Sequence, residues 1–242
     1  AGFPWFLEWG RDTFIALPGL TLARGRLDEC AEVLVGALPF LKHGLLPNVF
    51  GRGAEDSHYG SADAALWFAR AALLYERAGG RRQIIKDELQ PALESIAEAY
   101  FAGTDLGLEV DEDGLLTAGS PELNPTWMDA RAFGHPVTPR HGTPVEIAAL
   151  WCSLVAHLEE LARSKAAKRI RAAHKRRARR AFLRRFWLEE EGCLADVWRD
   201  GQQDRSVRPN MVLAAALELA PLSKGQRARI VSRAEAELLT PR

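Results

Sequence analysis

A chain of 242 residues is long enough to bury a substantial core and lies near the upper end of what folds as one domain. Its 32 Lys and Arg balance 32 Asp and Glu, so no net field steers it toward nucleic acid or an anionic membrane. Cys30, Cys152 and Cys193 are odd in number, far apart and without a CxxC pair, which argues against a disulfide framework or a zinc knuckle and predicts reduced thiols in the cytoplasm. No apolar run approaches the roughly 20 residues that cross a bilayer, and no basic segment followed by a hydrophobic one opens the chain. Because it starts at Ala1 inside a motif-like segment and stops at "AELLTPR", both ends read as cut from a larger polypeptide.

Apolar positions recurring at three- and four-residue spacing predict helices in chain order. The first covers about 12–23, with Pro18 expected to kink or stop it. Others follow around Leu27–Leu38, Ala62–Leu73, Ile85–Tyr100 and Ile147–Leu161, and then at about 166–187, 210–220 and 224–238. That makes eight. Two segments, "LEVDEDGLLTAG" and "EEEGCLADVW", read as hairpins with Asp-Gly and Glu-Gly turns. Connections alternate between short (24–26, 79–81, 163–165, 221–223) and long (42–61, 102–143, 188–209). Antiparallel helical hairpins follow, with every long loop at one end, where a functional site is expected. Such a series builds a bundle, a solenoid or a closed toroid, and the pattern leaves all three open.

Four groups of residues at the long-loop end carry chemistry. In "PWFLEWGRDT", Arg11 offers a planar fork of donors and Asp12 two acceptor oxygens for vicinal hydroxyls, while Trp5, Phe6 or Trp9 supplies a flat apolar face. That combination holds a sugar ring; the competing role for Asp12 is to N-cap the first helix. In "SHYGSADAALWF", Tyr59, Asp63 and Trp67 approach a helix start, and core packing competes for Trp67. In "LNPTWMDARAFGHPVTPRHGTPVEIAALW", Asp129 follows Trp127 and Met128, whose apolar surfaces are expected to favour its protonated form, the property of a general acid. "TPVE" has the spacing of a capping box, with Thr143 as N-cap and Glu146 reaching back, which ranks Glu146 as structural before catalytic. In "DRSVRPN", Arg208 stands before Pro209, at a helix entrance. The run from Arg163 to Arg185 holds twelve Lys or Arg and no acid; it reads as a solvated outer helix face and not as a nucleic-acid surface, because it keeps a helical stripe and lies away from the motif loops.

Six segments in order, "WFLEWGRDTFIALPGL", "HGLLPNVF", "YGSADAALWF", "DGLLTAG", "PTWMDARAFGHPVTPRHGTPVEIAALW" and "RPNMVLAA", together resemble the amylo-alpha-1,6-glucosidase domain family of glycogen debranching enzymes, within the glucoamylase-like toroid clan. The resemblance implies an all-α (α/α)6 toroid, here incomplete with about eight of twelve helices and short β-hairpins in the long loops. Residues 1–242 would be a single partial glucosidase domain, truncated on the C-terminal side and also on the N-terminal side. It implies release of glucose from alpha-1,6 branch points of glycogen or limit dextrin with inversion, and neither a metal nor an organic cofactor. Carried over, Asp129 matches the general acid, and Arg11 and Asp12 match sugar-holding positions. Trp9, Tyr59, Asp63, Trp127, Arg140 and Arg208 would line the pocket. The expected partner is a branched alpha-glucan or oligosaccharide, with no nucleic acid and no membrane.

An inverting glycosidase needs a second carboxyl group roughly 6.5–9.5 Å from the first to activate water. The family carries it in a glutamate motif toward the C-terminal end of the toroid, and that motif is not in this sequence, so the base is expected outside the fragment. Where the family often reads "YNTVDA" this chain reads "YGSADA", which removes the contact of that asparagine. Two rival functions remain: a toroid glycosidase for another alpha-glucoside, and a non-catalytic carbohydrate-binding domain.

Overall fold

The structure, a computed structural model, describes residues 7–240, so Trp5 and Phe6 lie outside the described residues. It divides into two compact units, Ala1–Leu106 and Gly107–Arg242. The division falls inside the longest predicted connection.

In the first unit, β1 (Glu8–Trp9) pairs antiparallel with β2 (Val49–Phe50) and runs into α1 (Gly10–Leu20). A Cβ on Gly10 would come within 2.1 Å of the Pro47 carbonyl oxygen, so a residue without a side chain is required where the helix starts against the 47–50 segment. The Gly10 amide donates to the Asn48 carbonyl at 3.0 Å. This explains a departure from the predicted cap. The helix begins at Gly10 and Asp12 lies in its first turn, while Trp9 at the N-cap position makes no side-chain cap bond. As predicted, α1 ends soon after Pro18, and a 3-10 turn at Leu22–Arg24 follows.

Next come α2 (Leu27–Ala37), α3 (Ala64–Arg77) and a continuous helical stretch made of α4 (Arg82–Ile84), a π-helical turn (Ile85–Leu89) and α5 (Gln90–Ala102). α1 and α2 both pack on α3. Phe14 of α1 meets Phe68 of α3 edge to face at 5.4 Å, a favourable aromatic geometry, and Phe14, Leu34, Phe68, Leu93 and Ile96 are buried.

The second unit opens with the hairpin β3 (Glu109–Val110) and β4 (Leu116–Thr117), one of the two predicted. Arg185 clips its turn to a later helix through Asp111 at 2.5 Å and Asp113 at 2.6 Å. β5 (Arg131–Ala132) and β6 (His135–Pro136) form a hairpin not predicted from the sequence, turning through Phe133 and Gly134, both with positive φ. β7 (Thr143–Pro144) leads into α6 (Val145–Leu161), followed by α7 (Lys165–Phe186), β8 (Trp187–Leu188), β9 (Cys193–Leu194), β10 (Val197–Arg199), β11 (Gln202–Asp204), α8 (Asn210–Ala216) and α9 (Lys224–Leu238).

α6 is buried along most of its length and packs on α7 and α8. α9 starts on a full capping box between Ser223 and Gln226. The capping box predicted at "TPVE" does not form. Thr143 and Pro144 are instead paired to Trp198 and Val197 of β10, the central strand of the sheet β11-β10-β7, so Thr143 serves a strand and Glu146 is left for another partner. β8 and β9 match the second predicted hairpin, whereas β10 and β11, joined at Asp200-Gly201, were missed. α7 covers the basic run. Ala178, Ala181, Phe182, Arg185 and Phe186 are buried, but Ile170, expected in the same apolar stripe, is exposed.

Counting 82–102 as one, the described residues contain eight helices with small sheets between them, and the short and long connections alternate as the sequence predicts. No helix among the described residues is long and apolar enough to cross a membrane. Cys30, Cys152 and Cys193 are buried thiols; burial raises all three and pushes Cys152 up to about 12.

Candidate active site

Each unit carries one cluster of the predicted residues. In the first, α1 presents Arg11, and the turn before α3 presents Asp63. The Arg11 Nε bonds both Asp63 oxygens, at 2.9 and 2.8 Å, and Nη2 reaches the Ser61 hydroxyl at 3.3 Å. Asp63 is only 1% exposed and also accepts from the Ser61 hydroxyl and from the Trp67 indole N–H at 3.3 Å. An ionised carboxylate has about four acceptor positions, and here they are filled from within the protein. Asp63 therefore orients Arg11 and shows no face to a ligand. Trp67 is buried, as core packing requires, yet its N–H has this polar task.

Trp9, Asp12 and Tyr59 are half-buried. The Tyr59 hydroxyl donates to the Phe40 carbonyl at 2.8 Å, which anchors the 57–60 loop to the 3-10 turn Leu38–Phe40 after α2. Burial pushes its phenol up, and nearby Lys42 pulls it back.

In the second unit the segment 124–129 is pinned from several sides. The Asn124 amide donates to the carbonyls of Met128, at 2.7 Å, and Thr138, at 2.9 Å. The Met128 N–H reaches the Thr126 hydroxyl at 3.3 Å. The Trp127 indole N–H donates to Asn210 Oδ1 at 2.7 Å, leaving the ring 38% exposed. Asp129 is exposed, so Trp127 and Met128 do not give its carboxyl the apolar covering that the sequence analysis expected. Adjacent side chains in an irregular loop point in divergent directions, and proximity in sequence does not supply burial.

Behind this loop lies a charged network. Arg140 is 0% exposed. Its Nη1 and Nη2 grip both oxygens of Glu146, with Nη2 to Oε2 at 2.6 Å, and its Nε and Nη2 reach Asp196 at 2.9 and 3.1 Å. Arg208 bonds Asp196 at 2.7 Å and Asp204 at 2.8 Å. Burial pushes the Glu146 carboxyl up while the bidentate guanidinium pulls it down. Burial likewise disfavours the Arg140 cation, but its two carboxylates outweigh this and hold it protonated. Burial also raises Asp204, yet hydrogen bonds from Ser206 and Arg208 prevail and bring it to about 2.

Arg140 thus stands behind the wall of the site, and Arg208, half-buried, stands nearer its surface. Glu146 is structural, as ranked, but through an ion pair. Sequence reasoning missed Ser61, Asn124, Asp196 and Asn210. The signal for Asp196 was a lone carboxylate in the apolar "CLADVW"; Asn210 looked like an ordinary helix start. Among the described residues no group of three His, Cys, Asp or Glu is placed to hold a metal ion.

The chain matches the amylo-alpha-1,6-glucosidase family over residues 1–242. It belongs to that family. It is 30% identical over 220 aligned residues to the glycogen debranching enzyme of Saccharomyces cerevisiae, covering 66% of this chain and 14% of that protein. Among solved structures, a rhamnosidase from Klebsiella oxytoca with rhamnose bound shares the fold at a TM-score of 0.63 and 16% identity, over 97% of this chain and 42% of that one. The chain therefore spans a small part of the curated relative and under half of the solved structure. Family and relative identify a glycosidase domain, and the six motif segments of the sequence analysis lie inside the matched region.

Proposed function

We propose that this domain forms part of a cytoplasmic enzyme that hydrolyses the alpha-1,6-linked glucose at branch points of glycogen or limit dextrin, with inversion, on an incomplete (α/α)6 scaffold. The observation that carries the reading is the pinned 124–129 segment, which presents an exposed carboxylate beside a half-exposed indole in a chain of this family. Asp129 acts as the general acid, protonating the leaving glycosidic oxygen. Trp127 offers its exposed ring to the apolar face of a sugar. In the first unit Arg11, aimed by Asp63, and Asp12 bond sugar hydroxyls, with Trp9 and Tyr59 as aromatic surface; in the second Arg208 adds a polar contact, with Arg140 as a support behind it. Inversion requires a second carboxylate to activate water, and that base is assigned to no residue of this chain.

The test is made on the full-length protein. Asp129→Asn is expected to lower kcat for glucose release from a branched limit dextrin by about 100-fold or more, the usual contribution of a positioned acid. A kcat within tenfold of wild type removes the acid assignment. Panose, isomaltose and an alpha-rhamnoside assayed beside the dextrin show whether the substrate is another glycoside.

A further inference from the structure

We propose that Asn210 is the positioning residue of the acid loop, transmitting the fixed charge of Asp196 to Trp127 and Met128 and so fixing where Asp129 stands. This rests on Asp129 as the acid and adds the element that aims it.

Asn210 is the first residue of α8, is 0% exposed, and touches three partners with one carboxamide. Oδ1 accepts from the Trp127 indole at 2.7 Å; Nδ2 donates to Asp196 Oδ1 at 2.6 Å and lies 3.4 Å from the Met128 sulfur. The sense of the amide is forced at both ends. An indole N–H is only a donor and an ionised carboxylate only an acceptor, so the oxygen must face Trp127 and the nitrogen Asp196. Asp196 in turn is immobilised by Arg140 and Arg208. A rigid ion network thus fixes the amide, and the amide fixes two consecutive side chains immediately before Asp129. Asn124 and Thr126 hold the backbone of Met128, leaving the loop few ways to shift. A displacement of about 1 Å in a reacting group costs on the order of 100-fold in rate, so such a clasp is worth the burial of an amide.

The forced polarity yields a test. In Asn210→Asp the introduced carboxyl faces Asp196. The groups around the pair are Arg140 and Arg208 against Asp196, Glu146 and Asp204, with the uncharged Trp127 and Met128 on the other side. Two cations already face three carboxylates, so a further negative charge is disfavoured. When the introduced carboxyl is protonated, its O–H donates to Asp196 as the amide N–H does, and its carbonyl still accepts from Trp127. As pH rises the shared proton leaves, the two carboxylates repel, and the clasp opens.

Full-length wild type, Asn210→Asp and Asn210→Leu are compared by kcat and KM on branched limit dextrin across pH, and by hydrogen exchange of the 124–130 peptide, at temperatures well below each variant's melting point. Asn210→Leu is expected to lose about 100-fold in kcat, with a smaller change in KM and faster exchange of that peptide. Asn210→Asp is expected to approach wild-type kcat at acid pH and to lose it as pH rises, along a limb absent from wild type. An Asn210→Asp enzyme with the wild-type pH profile, or an Asn210→Leu protein with unchanged exchange at 124–130, overturns the inference. If the wild-type protein releases sugar from no glycoside tested, the activity reading fails, and the exchange comparison still decides whether Asn210 holds the loop.

Discussion

Arg11 and Arg140 were both marked as sugar contacts, and the two units treat them in opposite ways. Arg11 bonds the carboxylate of Asp63 and remains partly at the surface, with 13% of its side chain exposed. Arg140 meets two, Glu146 and Asp196, and has none. A guanidinium has five N–H donors in a fixed fork. Where the guanidinium is fully buried among carboxylates, the arginine is framework; where it stays partly at the surface, it is open to the substrate contact proposed for it. The burial of an arginine, more than its motif, separates the two roles.

The comparison is sharpest at Arg140. Arg140→Met leaves Glu146 buried without the cation it grips and Asp196 with Arg208, and removing one partner of a buried pair costs about 3–5 kcal/mol. Urea unfolding should show a loss of this size; a cost below about 1 kcal/mol would place Arg140 with Arg11.

Asp63→Asn comes next. It keeps the shape but weakens a charge-assisted bond worth about 1.5–3 kcal/mol. Because Arg11 is proposed to grip substrate, the effect should fall on binding, raising KM by about tenfold with little change in kcat, as steady-state assays on the full-length protein would show. A drop in stability matching that of Arg140→Met would make Arg11 framework as well.

The smallest effect belongs to Asp204 at the rim. Its folded value, about 2, lies below the ordinary 3.8, so its contribution is present above pH 3.8 and is lost as pH falls toward about 2. The group is more than a third exposed, so solvent screening keeps that contribution small. Acid unfolding of Asp204→Asn should lack this part of the wild-type pH dependence, the two converging only as pH falls to about 2 and below.

The helices were legible because their apolar faces repeat: the predicted 224–238 coincides with α9, and 166–187 with α7 to within one residue at each end. What sequence did not disclose is partner choice across long separations. Arg140 and Asp196 are 56 residues apart, and Trp127 and Asn210 are 83 apart, so neither pairing leaves a local pattern. "TPVE" fits a capping box well, but the β10 strand competes for Thr143 and wins. The β10–β11 turn carries Asp-Gly, which signals a hairpin when alternating hydrophobics flank it, but its second arm, Gln202–Asp204, holds no apolar residue, so the strand pattern is missing. The aromatic neighbours proposed for Arg11 at positions 5 and 6 lie outside the described residues.

Gly10 turns this geometry into a criterion for reading other genes. Any side chain there meets the Pro47 carbonyl and must push the start of α1 off the 47–50 segment, swinging Arg11 with it. A homologue that keeps the Trp, Arg and Asp of this motif but replaces that glycine would retain the motif without the geometry on which the proposed sugar contact depends. In a genome survey, and on the proposed role of Arg11, one substituted glycine would mark a lapsed hydrolase that motif matching alone would count as active.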